Sequence, residues 1–149
     1  APAHAAPHEA AVGVEKIPAH DPEPVDYSNI PGCTYTTPEI ASVGLTERAC
    51  TEQGREVLIG KFPFTASGKA TAAGSRDGLV KVIFDKNTGE WLGCHLIGDN
   101  VTEMIAGAVM ARKNKMTGKE IISSVFPHPT MSEAIMEAAA DAYKECVHL

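Results

Sequence analysis

The chain has 149 residues and 15.7 kDa, of which 44% are hydrophobic and 21% charged, enough for one core of ordinary size but not for several nucleotide-binding domains. Thirteen Lys plus Arg against nineteen Asp plus Glu leave a net charge of −6 with no local basic cluster, which disfavours nucleic acid and anionic membrane as partners. Apolar runs fall far short of a membrane span, no secretory leader is expected, and a start at Ala1 without Met reads as that of a processed or excised chain.

Six of the ten prolines and three of the six histidines fall within residues 1–31, so this stretch reads as an arm and linker, with a short helix over Glu9–Ile17 after Pro7 and extended polar chain beyond. From residue 32 the pattern becomes compact. Cys33–Thr37 and Ile40–Gly44 read as a strand interrupted at Pro38. Thr46 caps a short helix to Gln53, with Gly54 beyond its end. Val57–Phe64 reads as a strand, and Thr65–Asp77, punctuated by Ser67-Gly68 and Gly74-Ser75, as irregular connection. Leu79–Asp85 and Trp91–Ile97, joined by Lys86, Asn87, Thr88 and Gly89, form an expected antiparallel hairpin.

Asn100 and Glu103 have capping-box spacing, and apolar residues from Met104 to Ala111 follow the helical period to about Lys113. A shorter helix is expected over Thr117–Ser123. A longer one is expected over Met131–Cys146, with Ile135, Ala138, Ala139 and Ala142 on one face available for homodimerisation. Strands followed by segregated helices imply an α+β fold: an antiparallel sheet with helices packed on one side.

The four cysteines, at positions 33, 50, 94 and 146, match neither a paired metal-binding pattern nor a dense disulfide framework. They fit a reducing compartment. His4 and His8 are spaced i,i+4, but two nitrogens without a third ligand make a poor metal site, and none is expected.

The dense constellation is Phe126 to Glu133. Pro127 and Pro129 flank His128, and a residue before proline is kept out of the helical region, so the imidazole sits on a stiff, non-helical link. Glu133 can reach back to the imidazole and set its tautomer. The same spacing also makes Thr130 to Glu133 a capping box, which accounts for Glu133 without chemistry. Spacing alone leaves both readings open.

The run HPTMSEA at residues 128–134 and VDYSNIPGCTYTTPEIASVGLTE at 25–47 closely resemble the C-terminal dimerisation domain of the dihydrolipoamide dehydrogenases, which are flavoprotein disulfide oxidoreductases. GKFPFTASGKA at 60–70 and LGCHLIGDNVTEMI at 92–105 resemble the same family in the same order, so the likeness covers essentially the whole chain. Glutathione and mercuric reductases share the HPT element, but TYTTPEIASVG and the alanine-rich segment after the motif look more like the lipoamide enzymes.

The resemblance implies that His128 is a catalytic acid/base supplied in trans to the partner subunit's redox disulfide, with Glu133 orienting it. It also implies a cis bond between His128 and Pro129. A dithiol must lose a proton before it attacks a disulfide, so a base is needed. Family members often carry a second His where this chain has Phe126, a change expected to tune the pocket. The segment Ala3 to Glu9 partly resembles a helix beside the flavin, which makes Ala3 and His4 candidate flavin contacts, and Pro129 a candidate backbone neighbour of the flavin.

No G-x-G-x-x-G turn and no Cys-x4-Cys pair occur, so FAD, NAD and the redox disulfide are expected on other domains, with no cofactor bound tightly to this chain alone. The implied partners are a second copy, the flavin- and NAD-binding domains of the same enzyme, and a 2-oxo acid dehydrogenase complex. The implied compartment is bacterial cytoplasm or mitochondrial matrix. The competing readings are a homodimerisation module without catalysis, which would leave His128 indifferent to mutation, and the equivalent domain of a related disulfide reductase such as a glutathione or mercuric reductase.

Overall fold

A computed structural model describes residues 3–17 and 22–147; part of the expected extended stretch before Val25 lies outside them. Its frame is a five-stranded antiparallel sheet in the order β1-β2-β5-β4-β3, from β1 (Gly32–Thr34), β2 (Glu39–Gly44), β3 (Val57–Pro63), β4 (Leu79–Asp85) and β5 (Trp91–Gly98). The expected hairpin is present, and its turn is built by Asp85, whose carboxylate accepts from the backbone N–H groups of Asn87 and Thr88 at 2.9 Å each. Those two donors hold the Asp85 carboxyl below its ordinary pKa. Register slips by one residue between Ile83 and Phe84, so Trp91 and Cys94 face the main core while Leu92 joins the other side.

Successive strand residues point to opposite faces. Val80, Val82 and Phe84 of β4, with Phe62, Cys94 and Leu96, therefore meet α4 (Val101–Lys113) and α6 (Glu133–Ala142), flanked by α5 (Gly118–Ser123). Ile83, pointing the other way, forms a small second cluster with Cys50 of α2 (Glu47–Glu52) and Leu92. Beyond α2 this second face presents Lys61, Lys81 and His95 in one cross-strand row, and Lys81 pairs with Glu47.

The two long helices are seated differently. A Cβ on Gly60 would lie 1.8 Å from Ala138 O, so glycine at this point of β3 lets the α6 backbone lie directly on the strand. The Asp141 carboxylate on α6 accepts from the Lys61 N–H at 2.8 Å. Ile135, Ala138 and Ala139 are all buried in the main core, so the apolar stripe expected to serve homodimerisation is consumed inside the protomer.

Arg112 on α4 reaches across the fold, donating from Nε to Leu92 O at 3.1 Å and from Nη1 to Ser28 O and to Asn29. Asn29 in turn donates to Val109 O at 2.9 Å. These bonds fasten the end of the linker to α4 and the sheet.

Several boundaries differ from expectation for local reasons. The first strand is Gly32–Thr34 rather than Cys33–Thr37, and the Thr37–Pro38 bond is cis. The stretch expected to be irregular holds a 3-10 turn at Phe64–Ala66 and helix α3 (Gly68–Ala73). Ser67 caps α3 by accepting from Ala70 N–H, and Gly74 ends it in the left-handed conformation. The supposed loop punctuation was an N-cap and a C-cap.

Asn100 does not cap α4, because it is itself left-handed with no side-chain bond to the helix. Glu39 of β2 does that work instead, accepting from Thr102 N and Thr102 Oγ1 at 3.0 and 2.8 Å. α6 is shorter than the expected Met131–Cys146, ending at Ala142 before a left-handed Lys144. The arm helix α1 (Ala6–Glu15) starts and stops earlier than expected, with Pro7 in its first turn. It buries none of its own residues.

Candidate functional site

His128 lies in the connection between α5 and α6, flanked by Pro127 and Pro129, and its bond to Pro129 is cis. Its side chain is 80% exposed. Five residues on, Glu133 opens α6 and uses both carboxylate oxygens. Oε1 lies 2.8 Å from His128 Nδ1, and Oε2 accepts from Thr130 N–H at 2.7 Å. The two readings of Glu133 left open by its spacing thus coexist in one side chain.

The Thr130 half of the expected capping box is absent. Its hydroxyl donates to Pro127 O at 2.8 Å instead, tightening the loop around the imidazole. An ionised carboxylate only accepts, so Nδ1 carries a proton, and in the neutral ring Nε2 is the lone-pair acceptor of a side chain that is largely exposed. A base aimed outward from a fixed mount is what the geometry provides.

The other candidates are not gathered here. Ala3 is exposed at the start of the arm, and the His4 Nε2 lies 2.9 Å from Pro31 O. Pro129 is exposed beside His128. Among the described residues no group of three or more His, Cys, Asp or Glu side chains is placed to hold a metal. No helix among them is long and apolar enough to cross a membrane. Phe126, expected to tune the pocket, packs against the main core.

Sequence reasoning missed the groove between α1, the linker and α4, of about 700 Å³, whose lining includes Ala5, Val12, Ile30, Val109 and Met110. Its apolar walls come from segments too far apart in the chain for periodicity to join them.

Residues 30–139 match the family described as pyridine nucleotide-disulphide oxidoreductase, dimerisation domain. The chain belongs to this family. Dihydrolipoyl dehydrogenase of Rhizobium etli is 51% identical to this dimerisation domain over 142 residues, covering 95% of this chain and 30% of that protein. The Bacillus subtilis dihydrolipoyl dehydrogenase is 46% identical over 146 residues, covering 98% and 31% respectively. The chain thus spans less than a third of the length of these curated relatives.

Among solved structures, LpdA from Mycobacterium tuberculosis has a TM-score of 0.83 at 22% identity, covering 89% of this chain and 29% of that one. The HOCl-induced flavoprotein disulfide reductase RclA from Escherichia coli also has a TM-score of 0.83, at 24% identity, with 89% and 31% covered. These likenesses show the α+β fold of the dimerisation domain. A domain of this kind implies a homo-oligomer.

Proposed function

We propose that this dimerisation domain belongs to a dihydrolipoyl dehydrogenase and supplies His128, with Glu133 as its orienter, to the redox disulfide of the partner subunit. The observation that carries the reading is the Nδ1 contact with Glu133, which leaves Nε2 outward on an exposed loop. Identity to dihydrolipoyl dehydrogenases along nearly the whole chain supports the choice of substrate.

Nε2 takes the proton from a dihydrolipoamide S–H, and the thiolate left behind is the nucleophile toward the partner's disulfide. As His128 becomes imidazolium, the Glu133 carboxylate already bonded to Nδ1 stabilises the new charge without moving. FAD and NAD, carried by the enzyme's other domains, supply the electron transfer that completes dihydrolipoamide plus NAD to lipoamide plus NADH. On this reading residues 1–31 are the arm joining those domains to the interface domain at 32–149. Alone, the chain is inactive and binds neither cofactor tightly. In the cell the enzyme serves a 2-oxo acid dehydrogenase complex in bacterial cytoplasm or mitochondrial matrix.

Mixed dimers test the trans arrangement. One protomer of the complete enzyme carries His128→Gln with its redox cysteines intact, and the other carries His128 with those cysteines replaced. Trans supply restores one working site per mixed dimer, whereas supply within one subunit gives none. Mixed dimers with no more activity than either parent homodimer would overturn the proposal.

A further inference from the structure

The loop that presents His128, between α5 and α6, has two apolar fastenings: Phe126 on the way into the imidazole, and Met131, buried in the main core, beyond it. From Ser123 to Pro129 every residue is exposed except Phe126, and Val125 beside it is 99% exposed. Phe126 alone of this run turns inward and packs against the main core. The loop's hydrogen bonds gather on either side of it. Ser124 bonds back to Ile121 O and Glu120 O, while Pro127, His128 and Thr130 are tied together with Glu133.

Between the Phe126 ring and the imidazole lie few soft torsions. Phe126 and His128 each precede a proline and are confined to extended backbone, and the Pro127 ring fixes its own φ. A shift of the Phe126 anchor is therefore passed along a stiff rod to His128 rather than absorbed within the loop. Glu133, at the start of α6, fixes the rotation of the imidazole and, with buried Met131, the far side of the loop; Phe126 seats the side that leads into His128.

We propose that Phe126 is a positioning residue: its ring, seated on the core, sets the reach of His128 toward the partner's disulfide. The inference rests on the trans-base reading above. A side chain at this position acts here through the distance and angle of the base, with no contact to substrate.

The test uses the complete flavoenzyme dimer with Phe126→Ala, Phe126→Leu and, as reference, His128→Gln. Displacing a base by a fraction of its reach costs roughly tenfold to a hundredfold in rate. Phe126→Ala is therefore expected to lower kcat with dihydrolipoamide by roughly that factor, with little change in KM for NAD. Phe126→Leu, which keeps an apolar anchor, is expected to restore most of it. In the ring nitrogen spectrum of His128, the Ala variant should keep the Nδ1–H tautomer but show a broadened signal, as expected of a loop that keeps Met131 but has lost the anchor leading into the imidazole.

A Phe126→Ala enzyme that melts earlier yet keeps kcat within twofold of wild type would make the residue merely structural and overturn the proposal. If the Ala variant does not fold, Phe126→Leu with kcat lowered as far as in His128→Gln overturns it equally. A His128→Gln enzyme of wild-type activity would instead remove the catalytic reading itself, which keeps the two failures apart.

Discussion

His128 Nδ1 and Glu133 Oε1 stand 2.8 Å apart, while the other oxygen of the same carboxylate holds the Thr130 N–H. The arrangement separates charge from shape. In Glu133→Gln the amide oxygen can retain Thr130, but its NH₂ then faces Nδ1, which forces the ring proton onto Nε2 and removes the outward acceptor. Holding the wrong tautomer with the geometry intact is costly to a general base. We expect dithiol-dependent NAD reduction to fall by roughly two orders of magnitude or more, with the melting temperature nearly unchanged. Glu133→Ala should lose both activity and about 1 kcal/mol of stability, since Thr130 N–H also loses its acceptor.

Homodimerisation has to use a surface other than the α6 stripe. On α4, Ala106, Gly107 and Met110 are exposed, Met110 at 64%, next to the apolar groove. The second sheet face instead carries Lys61, Lys81 and His95 across its middle, and charge is depleted at interface centres. Met110→Asp is therefore expected to shift the complete enzyme toward monomer in sedimentation velocity while each protomer stays folded. Ala139→Asp, by contrast, buries an unpaired charge and should unfold the domain, costing roughly 3–5 kcal/mol. Unchanged sedimentation for Met110→Asp would place the interface elsewhere.

Asp85 makes the hairpin turn sensitive to acid. Its folded-state pKa is depressed by the Thr88 and Asn87 N–H groups, so the stabilisation is present above the unfolded carboxylate range near 3.8 and is lost as pH falls through the lower folded value. Asp85→Asn should lower the urea midpoint at pH 7, and the gap from wild type should close progressively below about pH 4. A gap of constant size from pH 7 to pH 3 would exclude the carboxylate as its source.

The thiols divide by burial. Cys94 is fully buried, and its pKa is pushed up to about 12 by loss of hydration; burial also raises Cys50 and Cys33, so what separates Cys33 from the buried pair is access of the reagent. Thiolate, not thiol, reacts. At pH 8 a disulfide reagent should modify no thiols other than the half-buried Cys33 and Cys146 in the folded chain, and all four once it is denatured. Rapid labelling of Cys94 without denaturant would contradict the packing of β5 under α4.

Where the structure followed local rules, it was legible in advance. The hairpin, α4 and the His128–Glu133 pairing each depend on residues within a few positions of one another, and the resemblance at HPTMSEA extended that reading to the fold. Features set by distant chain were not. The cap of α4 comes from Glu39, 63 positions before Thr102, and nothing near Asn100 announces it. The apolar period of α6 shows that a face is buried without saying against what; β3, opened by Gly60, takes the place assigned to a second subunit. α3 was hidden because Ser-Gly reads equally as a turn or as the start of a helix.

The Asp141 carboxylate on the Lys61 N–H has a consequence for assembly. An outer strand with free amides is a template on which further chains can grow without limit. Here a side chain from the same protomer occupies one amide of the edge strand β3, and the opposite border, β1, is three residues long. Growth in the plane of the sheet is thereby disfavoured at both borders. What association remains is between faces, and an isologous face-to-face contact about a two-fold axis closes at two copies.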